Sequence, residues 1–212
     1  MIRKPSRQTA DLAATAHHEA GHAVADWILG HTIVEVSIVP GGHPVGHVRH
    51  RPSQHIRERD RLIPDTAHQR EQVQHQIVAL LAGAEAEARF RRMKVTTVVR
   101  SGGPEQDWKD AELLAEDLEP VPPVRTGLFT YLNAKTRDLV ECQWPLVEAL
   151  ADALIERHQL DALSIQQVLQ EAIKRGSERL GYEESWNLTA GEWRNMAREL
   201  GYERVWLEGI RS

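Results

Sequence analysis

Apolar residues recur at helical spacing along most of the chain and at strand spacing in two short stretches only. The first helical segment is rich in small and apolar residues (Leu12, Ala13, Ala14, Ala23, Val24, Trp27, Ile28, Leu29); Thr9 or Asp11 can cap it and Gly30 stops it. Residues 32–39 form a β-branched run closed by Pro40-Gly41-Gly42, and residues 45–49 can pair with it as a second short strand. A long helix is predicted over 66–92, with Val73, Ile77, Leu80, Leu81 and Ala84 at helical spacing and a small-residue section over 80–88. After a loop at Ser101-Gly102-Gly103-Pro104, a helix with an acidic first turn starts at Glu105, and Pro120, Pro122 and Pro123 end it. Helices over 126–142 and 144–158 follow, with Pro145 tolerated in a first turn. Ser164 with Gln167, and Thr189 with Glu192, have the capping-box form and open helices to Arg175 and Leu200.

The predicted fold class is therefore mainly α with a small β-sheet (α+β). The predicted organisation is a flexible arm over 1–8, a domain over 9–175 and a C-terminal helical extension over 176–212, entered through a linker at 176–188. Trp186, Trp193 and Trp206 in the extension imply that it packs on something: the domain itself, a partner or a second subunit.

Composition narrows the function classes. A formal net charge of −5 provides no electrostatic footprint for nucleic acid. The densest basic cluster, Arg89, Arg91, Arg92 and Lys94, reads as a solvated helix end. The single cysteine, Cys142, excludes an internal disulfide framework and a cysteine-based zinc finger, and reads as a small core residue. No run of about 18 apolar residues occurs, so no membrane span is expected, and no signal core follows the basic N-terminus. A cytoplasmic location is the expectation.

The chemistry concentrates in His18-Glu19-Ala20-Gly21-His22. Two imidazoles four residues apart lie on one face of a helix and can share one metal ion, while Glu19 projects beside that ion as a base for water. Gly21 costs a helix interior roughly 1 kcal/mol against Ala and is kept there for close packing or function. A catalytic zinc needs a third protein ligand. Position 28 is Ile28, which excludes a third histidine six residues after His22, and Glu35 falls in a predicted strand and fits poorly. A more distant carboxylate is required. His43, His47, His50, His55, His68 and His75 follow no ligand template and read as a solvated or substrate-facing segment.

Several blocks together resemble the peptidase domain of FtsH-type ATP-dependent zinc proteases. Residues 15–23 are similar to its metal helix, and Val36-Ser37-Ile38-Val39-Pro40-Gly41-Gly42-His43-Pro44-Val45-Gly46 to its strand-Pro-x-Gly-x-x-x-Gly segment. Residues 77–87 look like its Leu-x-Gly-Arg-x-Ala-Glu-Glu helix, residues 101–111 its Thr-Gly-Ala-Ser-Asn-Asp-Leu-x-x-Ala block, and residues 150–160 its closing helix pair. The resemblance covers residues 10–170. It implies a helical zincin domain holding Zn2+ on His18, His22 and Asp107, with Asp110 the rival third ligand and Glu19 the catalytic base. A carboxylate at the start of a helix after a glycine loop is also well placed to turn inward.

The chain departs from the family at Pro104 and Glu105, at Ala84 where the family often has Arg, and in the short Pro-rich span 119–126. No ATPase module or membrane anchor is read in the sequence. The leading expectation is a zinc metalloendopeptidase that, departing from the family, works without ATP on peptides or unfolded protein segments; strand 33–39 is the expected edge for pairing with an extended substrate. A non-proteolytic regulatory or binding module retaining the fold and zinc is the alternative, and a zinc hydrolase of non-peptide amides ranks last. The ring assemblies of the family admit a homo-oligomer.

Overall fold

In the computed structural model of the chain, α1 (Arg7–Leu29) is the element on which the others are laid. The structure describes residues 7–39, 46–50, 66–101 and 104–179, with parts of 189–198. The first six residues of the expected arm, the turn at Pro40-Gly41-Gly42, the polar segment over 51–64 with His55, His43, and the tryptophans at 186, 193 and 206 lie outside the described residues. Helix α1 begins at Arg7, ahead of both expected caps.

The helix is buried around most of its circumference, through Ala14, Ala16, Ala20, Ala23, Val24, Ala25, Trp27 and Ile28. Strands β1 (Ile33–Ser37) and β2 (His47–His50) follow it as an antiparallel pair in which Val36 faces Val48. Next comes α2 (Ala67–Arg91), opened by a capping box: Thr66 Oγ1 accepts from the Gln69 amide, and Gln69 Oε1 from the Thr66 amide, both at 3.1 Å. It ends at Arg92, whose left-handed φ of 55° terminates the helix.

Helix α2 lies against α1 along a seam of small residues, and Gly21 is the point of closest approach. A Cβ added there would stand 2.6 Å from both the Ala82 carbonyl oxygen and Ala86 Cβ. Close packing is therefore what keeps a glycine in the middle of α1.

A short helix, α3 (Val95–Arg100), follows where none was expected. Its β-branched Val-Thr-Thr-Val-Val run is a weak helix former, and the buried Val95 and Val98 hold it in place. Helix α4 (Glu105–Leu118) buries Ala111, Ala115 and Leu118, spaced one turn apart. Helix α5 (Pro122–Cys142) starts four residues earlier than expected, because proline is tolerated in a first turn; of the three prolines only Pro120 interrupts helix. Ile77, Val78 and Leu81 of α2, Ala111, Ala115 and Leu118 of α4 and Leu132 of α5 form one cluster. Each such leucine contributes about 1.5–3 kcal/mol by leaving water, so α4 is firmly fixed on α2.

Helix α6 (Trp144–Arg157) covers the other side of α1. His158 then turns the chain with φ 63° into β3 (Gln159–Asp161), a strand that three residues were too short to announce. Strand β3 pairs antiparallel with β1, so the sheet order is β2-β1-β3. This corrects the expectation that strand 33–39 receives a substrate: β1 is the central strand and both its edges are taken. Helix α7 (Ala162–Arg179) begins before Ser164, and the cap is Asp161, whose Oδ1 accepts from the Ser164 amide at 2.8 Å. It also runs four residues past Arg175, into the expected linker.

The described part of the extension packs on the domain. Glu192 Oε2 accepts from the Thr189 amide at 2.7 Å, Met196 rests on the main core, and the Arg198 guanidinium donates to the Ile28 carbonyl at the C-terminal end of α1. That end has no basic residue of its own in its last turn. Among the described residues, no helix is long and apolar enough to cross a membrane.

Candidate metal centre

His18 and His22 leave the same face of α1, as their spacing requires, and their Nε2 atoms stand 3.0 Å apart. The third group comes from the first turn of α4. Asp107 lies one turn before Ala111, on the face of α4 that packs inward, and its Oδ2 is 3.3 Å from His18 Nε2 and 3.4 Å from His22 Nε2. Trp108 braces this turn: it stacks edge-on against Phe129, and its indole N–H donates to Glu112 at 3.0 Å. Three ligands at zinc bond lengths of about 2.0–2.1 Å and tetrahedral angles stand about 3.3 Å from one another. The triangle formed by the two nitrogens and the carboxylate oxygen has that size, and two neutral imidazoles with one carboxylate are a donor set zinc accepts. Among the described residues, this is the group of His and carboxylate side chains that converges tightly enough to hold a metal ion.

The ring of His22 is fixed from behind. Its Nδ1–H donates to the Ala79 carbonyl on α2 at 2.8 Å, which leaves the Nε2 lone pair directed at the site. Behind His18 stands a carboxylate, Glu87 of α2, whose Oε2 is 3.5 Å from Nδ1, an ionic contact rather than a formed hydrogen bond. Glu87 is itself held by Arg91, whose Nε donates to it at 2.7 Å. Burial opposes charge on His18, but Asp107 and Glu87 outweigh it and push the imidazole up to about 9 when no metal is bound. Burial likewise opposes charge on Asp107, and the two imidazoles overrule it, holding the carboxyl well below its usual range. The site without metal therefore keeps a proton where a cation fits.

Glu19 is 6 % exposed, and burial raises its carboxyl above the ordinary value against the pull of His22 and His18. Gly46, the residue before β2, lies directly against its side chain.

The other candidates lie elsewhere. Asp110 Oδ1 accepts from Gln106 at 2.8 Å and stays outside the cluster. Glu35 pairs with Arg49 at 3.1 Å and His47 at 3.6 Å on the sheet. His17, next to the motif, stacks between Phe90 and Trp144 and donates to the Ala13 carbonyl at 2.8 Å, a packing role. His31 donates to Asp26 at 2.7 Å, and His75 is its neighbour with ring centroids 6.3 Å apart. Arg89 lies over the Trp144 ring and Arg91 holds Glu87, so part of the basic cluster is engaged rather than solvated. Cys142 is partly buried, and burial and neighbouring acids push its thiol up to about 11, as suits an inert residue. Glu87, Gly46 and Gly83 stand at motif positions of the two family-like blocks, but nothing in the sequence showed that they lie against the metal-binding side chains.

A mainly helical domain with two histidines one turn apart, a glutamate beside the first and a carboxylate brought from another helix has the form of a helical zincin. The sequence pattern of Peptidase family M41 matches residues 6–118, more than half of the chain, and the chain belongs to that family. The ATP-dependent zinc metalloprotease FtsH 1 of Salinibacter ruber (strain M8) is 28% identical over 183 residues, covering 68% of this chain and 24% of its own length. The mitochondrial inner membrane m-AAA protease component AFG3L1 of Mus musculus is 32% identical over 91 residues, 42% of this chain and 10% of its own. The ATP-dependent zinc metalloprotease FtsH 1 of Rhodopirellula baltica is 35% identical over 75 residues, 34% of this chain and 10% of its own. The chain thus spans about a quarter or less of the length of these relatives.

Proposed function

We propose that this member of the zinc metallopeptidase family hydrolyses peptide bonds as an endopeptidase, with His18, His22 and Asp107 holding Zn2+ and Glu19 acting as the base. The observation that carries the reading is the triangle of ligand atoms with sides of 3.0, 3.3 and 3.4 Å, with the buried Glu19 beside it. When bound, zinc supplies Lewis acidity to the scissile carbonyl and to the attacking water. Glu19 takes the proton from that water as its oxygen attacks the carbonyl carbon, and returns it to the departing amine nitrogen. A carboxyl raised by burial is suited to both halves of that transfer. Ala79 and Glu87 keep the two imidazoles in register.

Substrates are peptides or unfolded segments, cleaved without ATP hydrolysis by the residues of this domain. Among the described residues the outer edge of β2 is unpaired, and β2 starts next to Glu19, so an extended peptide is best aligned there rather than on β1. The expected domain span over 9–175 is extended by this reading to include all of α7.

The test compares wild type, Asp107→Ala and Glu19→Gln for zinc content by elemental analysis and for cleavage of unfolded casein. About one zinc per chain in wild type and in Glu19→Gln, lost in Asp107→Ala, with cleavage in wild type alone, is the expected result. Zinc retained by Asp107→Ala refutes the ligand set. Cleavage that survives Glu19→Gln refutes the base, and a zinc-loaded wild type that cleaves nothing favours the non-proteolytic module.

A further inference from the structure

We propose that Gly83 and Gly46 are positioning residues, each keeping open the volume that one working side chain needs: Gly83 for the metal-facing nitrogen of His22, Gly46 for the carboxylate of Glu19. The inference rests on the zinc-peptidase reading above and adds to it residues that touch neither metal nor substrate.

Gly83 sits in the interior of α2, where glycine costs about 1 kcal/mol against alanine. A Cβ at this position would fall 2.7 Å from Cδ2 and from Cε1 of the His22 ring, and closer still to Nε2. The ring cannot retreat along its own plane, because its Nδ1–H is tied to the Ala79 carbonyl at 2.8 Å. Ala79 and Gly83 are one turn apart on the same helix. One holds the back of the imidazole with a carbonyl, and the other leaves its front clear by having no side chain.

Gly46 does the same for the base. A Cβ there would stand 2.7 Å from Glu19 Cγ and 2.8 Å from Cδ, and closer to Oε1. Between a strand anchored by the Val36–Val48 pair and the end of a flexible glutamate, the glutamate yields more easily. An added methyl group therefore displaces the carboxylate and leaves the ligands alone. Neither glycine has a positive φ, so alanine is acceptable to the backbone at both positions and the substitutions probe space alone. Gly127 of α5 has nothing within 4 Å of a built Cβ and provides the control.

The experiment measures four quantities on Gly83→Ala, Gly46→Ala, Gly127→Ala and wild type: zinc affinity by chelator competition, binding of acetohydroxamic acid to the zinc-loaded protein, hydrolysis of unfolded casein, and thermal midpoint. Gly83→Ala is expected to weaken zinc about a hundredfold, while the midpoint of the metal-free protein, where overpacking and the gain in helix propensity oppose each other, falls no further than that of Gly21→Ala. Gly46→Ala is expected to keep zinc affinity within about threefold and KM within about threefold, while kcat falls about a hundredfold. Acetohydroxamic acid, whose hydroxyl proton passes to the base, is expected to bind Gly46→Ala about tenfold more weakly. Gly127→Ala should match wild type throughout. Wild-type zinc affinity in Gly83→Ala, or unchanged kcat and acetohydroxamic acid binding in Gly46→Ala, overturns the proposal. So does loss of zinc in Gly46→Ala. If Gly46→Ala does not fold, the double variant with Glu19→Ala decides: it folds if the clash is with Glu19, and the proposal fails if it does not. A wild type that binds zinc and acetohydroxamic acid but cleaves no casein removes the peptidase reading, and the glycine roles are then judged on the two binding measurements.

Discussion

Glu87 faces Nδ1 of His18 across 3.5 Å, on the side of the ring away from Asp107. Burial works against charge on Glu87, yet His18 and Arg91 outweigh it and keep the carboxyl low and ionised. The zinc-side nitrogen of His18 is thus backed by a negative charge, which raises its basicity and fixes its orientation. Replacing Glu87 with Gln keeps the shape and removes the charge. Zinc affinity measured by chelator competition should fall about 10–100-fold, and the thermal midpoint at a fixed excess of zinc should fall with it, by the roughly 1.4–2.7 kcal/mol that this loss represents. Unaltered affinity would show that Glu87 only neutralises Arg91.

The proton held between the ligands gives the metal-free protein a characteristic pH response. His18 titrates near 9 in the folded state against an ordinary imidazole value of 6.5, so the folded form binds more protons over that interval. Its contribution to stability is complete below 6.5 and is lost as pH rises through 9. Asp107, whose pKa is depressed from 3.8, contributes above that value and loses its contribution as pH falls below it. Zinc must displace the His18 proton, so zinc affinity moves the other way and strengthens as pH rises towards 9. Thermal midpoints recorded with EDTA and with saturating zinc should therefore diverge between pH 6.5 and 9. A constant gap would contradict the assignment.

Gly21 predicts a different kind of damage from the glycines at the site. A methyl group there meets a backbone carbonyl and a Cβ at 2.6 Å, neither of which can swing aside. Overpacking costs about 1–3 kcal/mol and helix propensity returns about 1, so Gly21→Ala should destabilise by about 1 kcal/mol, and by no more than about 2, in denaturant titration. Below the transition it should bind one zinc with its affinity reduced by less than about threefold. A variant as stable as wild type would mean that α1 and α2 are not in close contact at this point.

At the far end of α1, Arg198 reaches the Ile28 carbonyl and supplies the positive charge that the helix terminus itself lacks. Arg198→Ala should cost about 1 kcal/mol of thermal stability and leave zinc stoichiometry unchanged. Stability equal to wild type would make the extension a passenger.

Periodicity revealed most of the helical frame. The helices over residues 7–29, 67–91, 105–118 and 144–157 each carry an apolar stripe or a start signal near the expected position. It revealed two ligands for the same reason, since i and i+4 fall on one helix face wherever the helix goes. Asp107 is different. It comes from another helix 85 residues after His22, and no local pattern separates it from Asp110; family resemblance was needed to choose. One physical clue was present: Asp107 precedes Ala111 by four, so it continues the Ala111-Ala115-Leu118 seam, and Asp110 does not. Strand β3 is too short to have a period, and missing it left β1 with an edge free for a substrate. Helix α3 was missed because its valines and threonines favour strands, a preference that burial of Val95 and Val98 overrode.

Strand β3 also sets a clock. Every side chain of the proposed chemistry lies at or before residue 107, yet β1 has no neighbour on its far side until residues 159–161 exist, and the side of α1 away from α2 stays uncovered until α6 arrives. At about 5–20 residues per second, synthesis needs several seconds more to provide them. During that interval the nascent chain carries the residues of a peptidase without the framework that aligns them. Ordering the chain this way places the last structural piece well downstream of the first metal-facing residue, so the proposed site is framed only after most of the domain has been made.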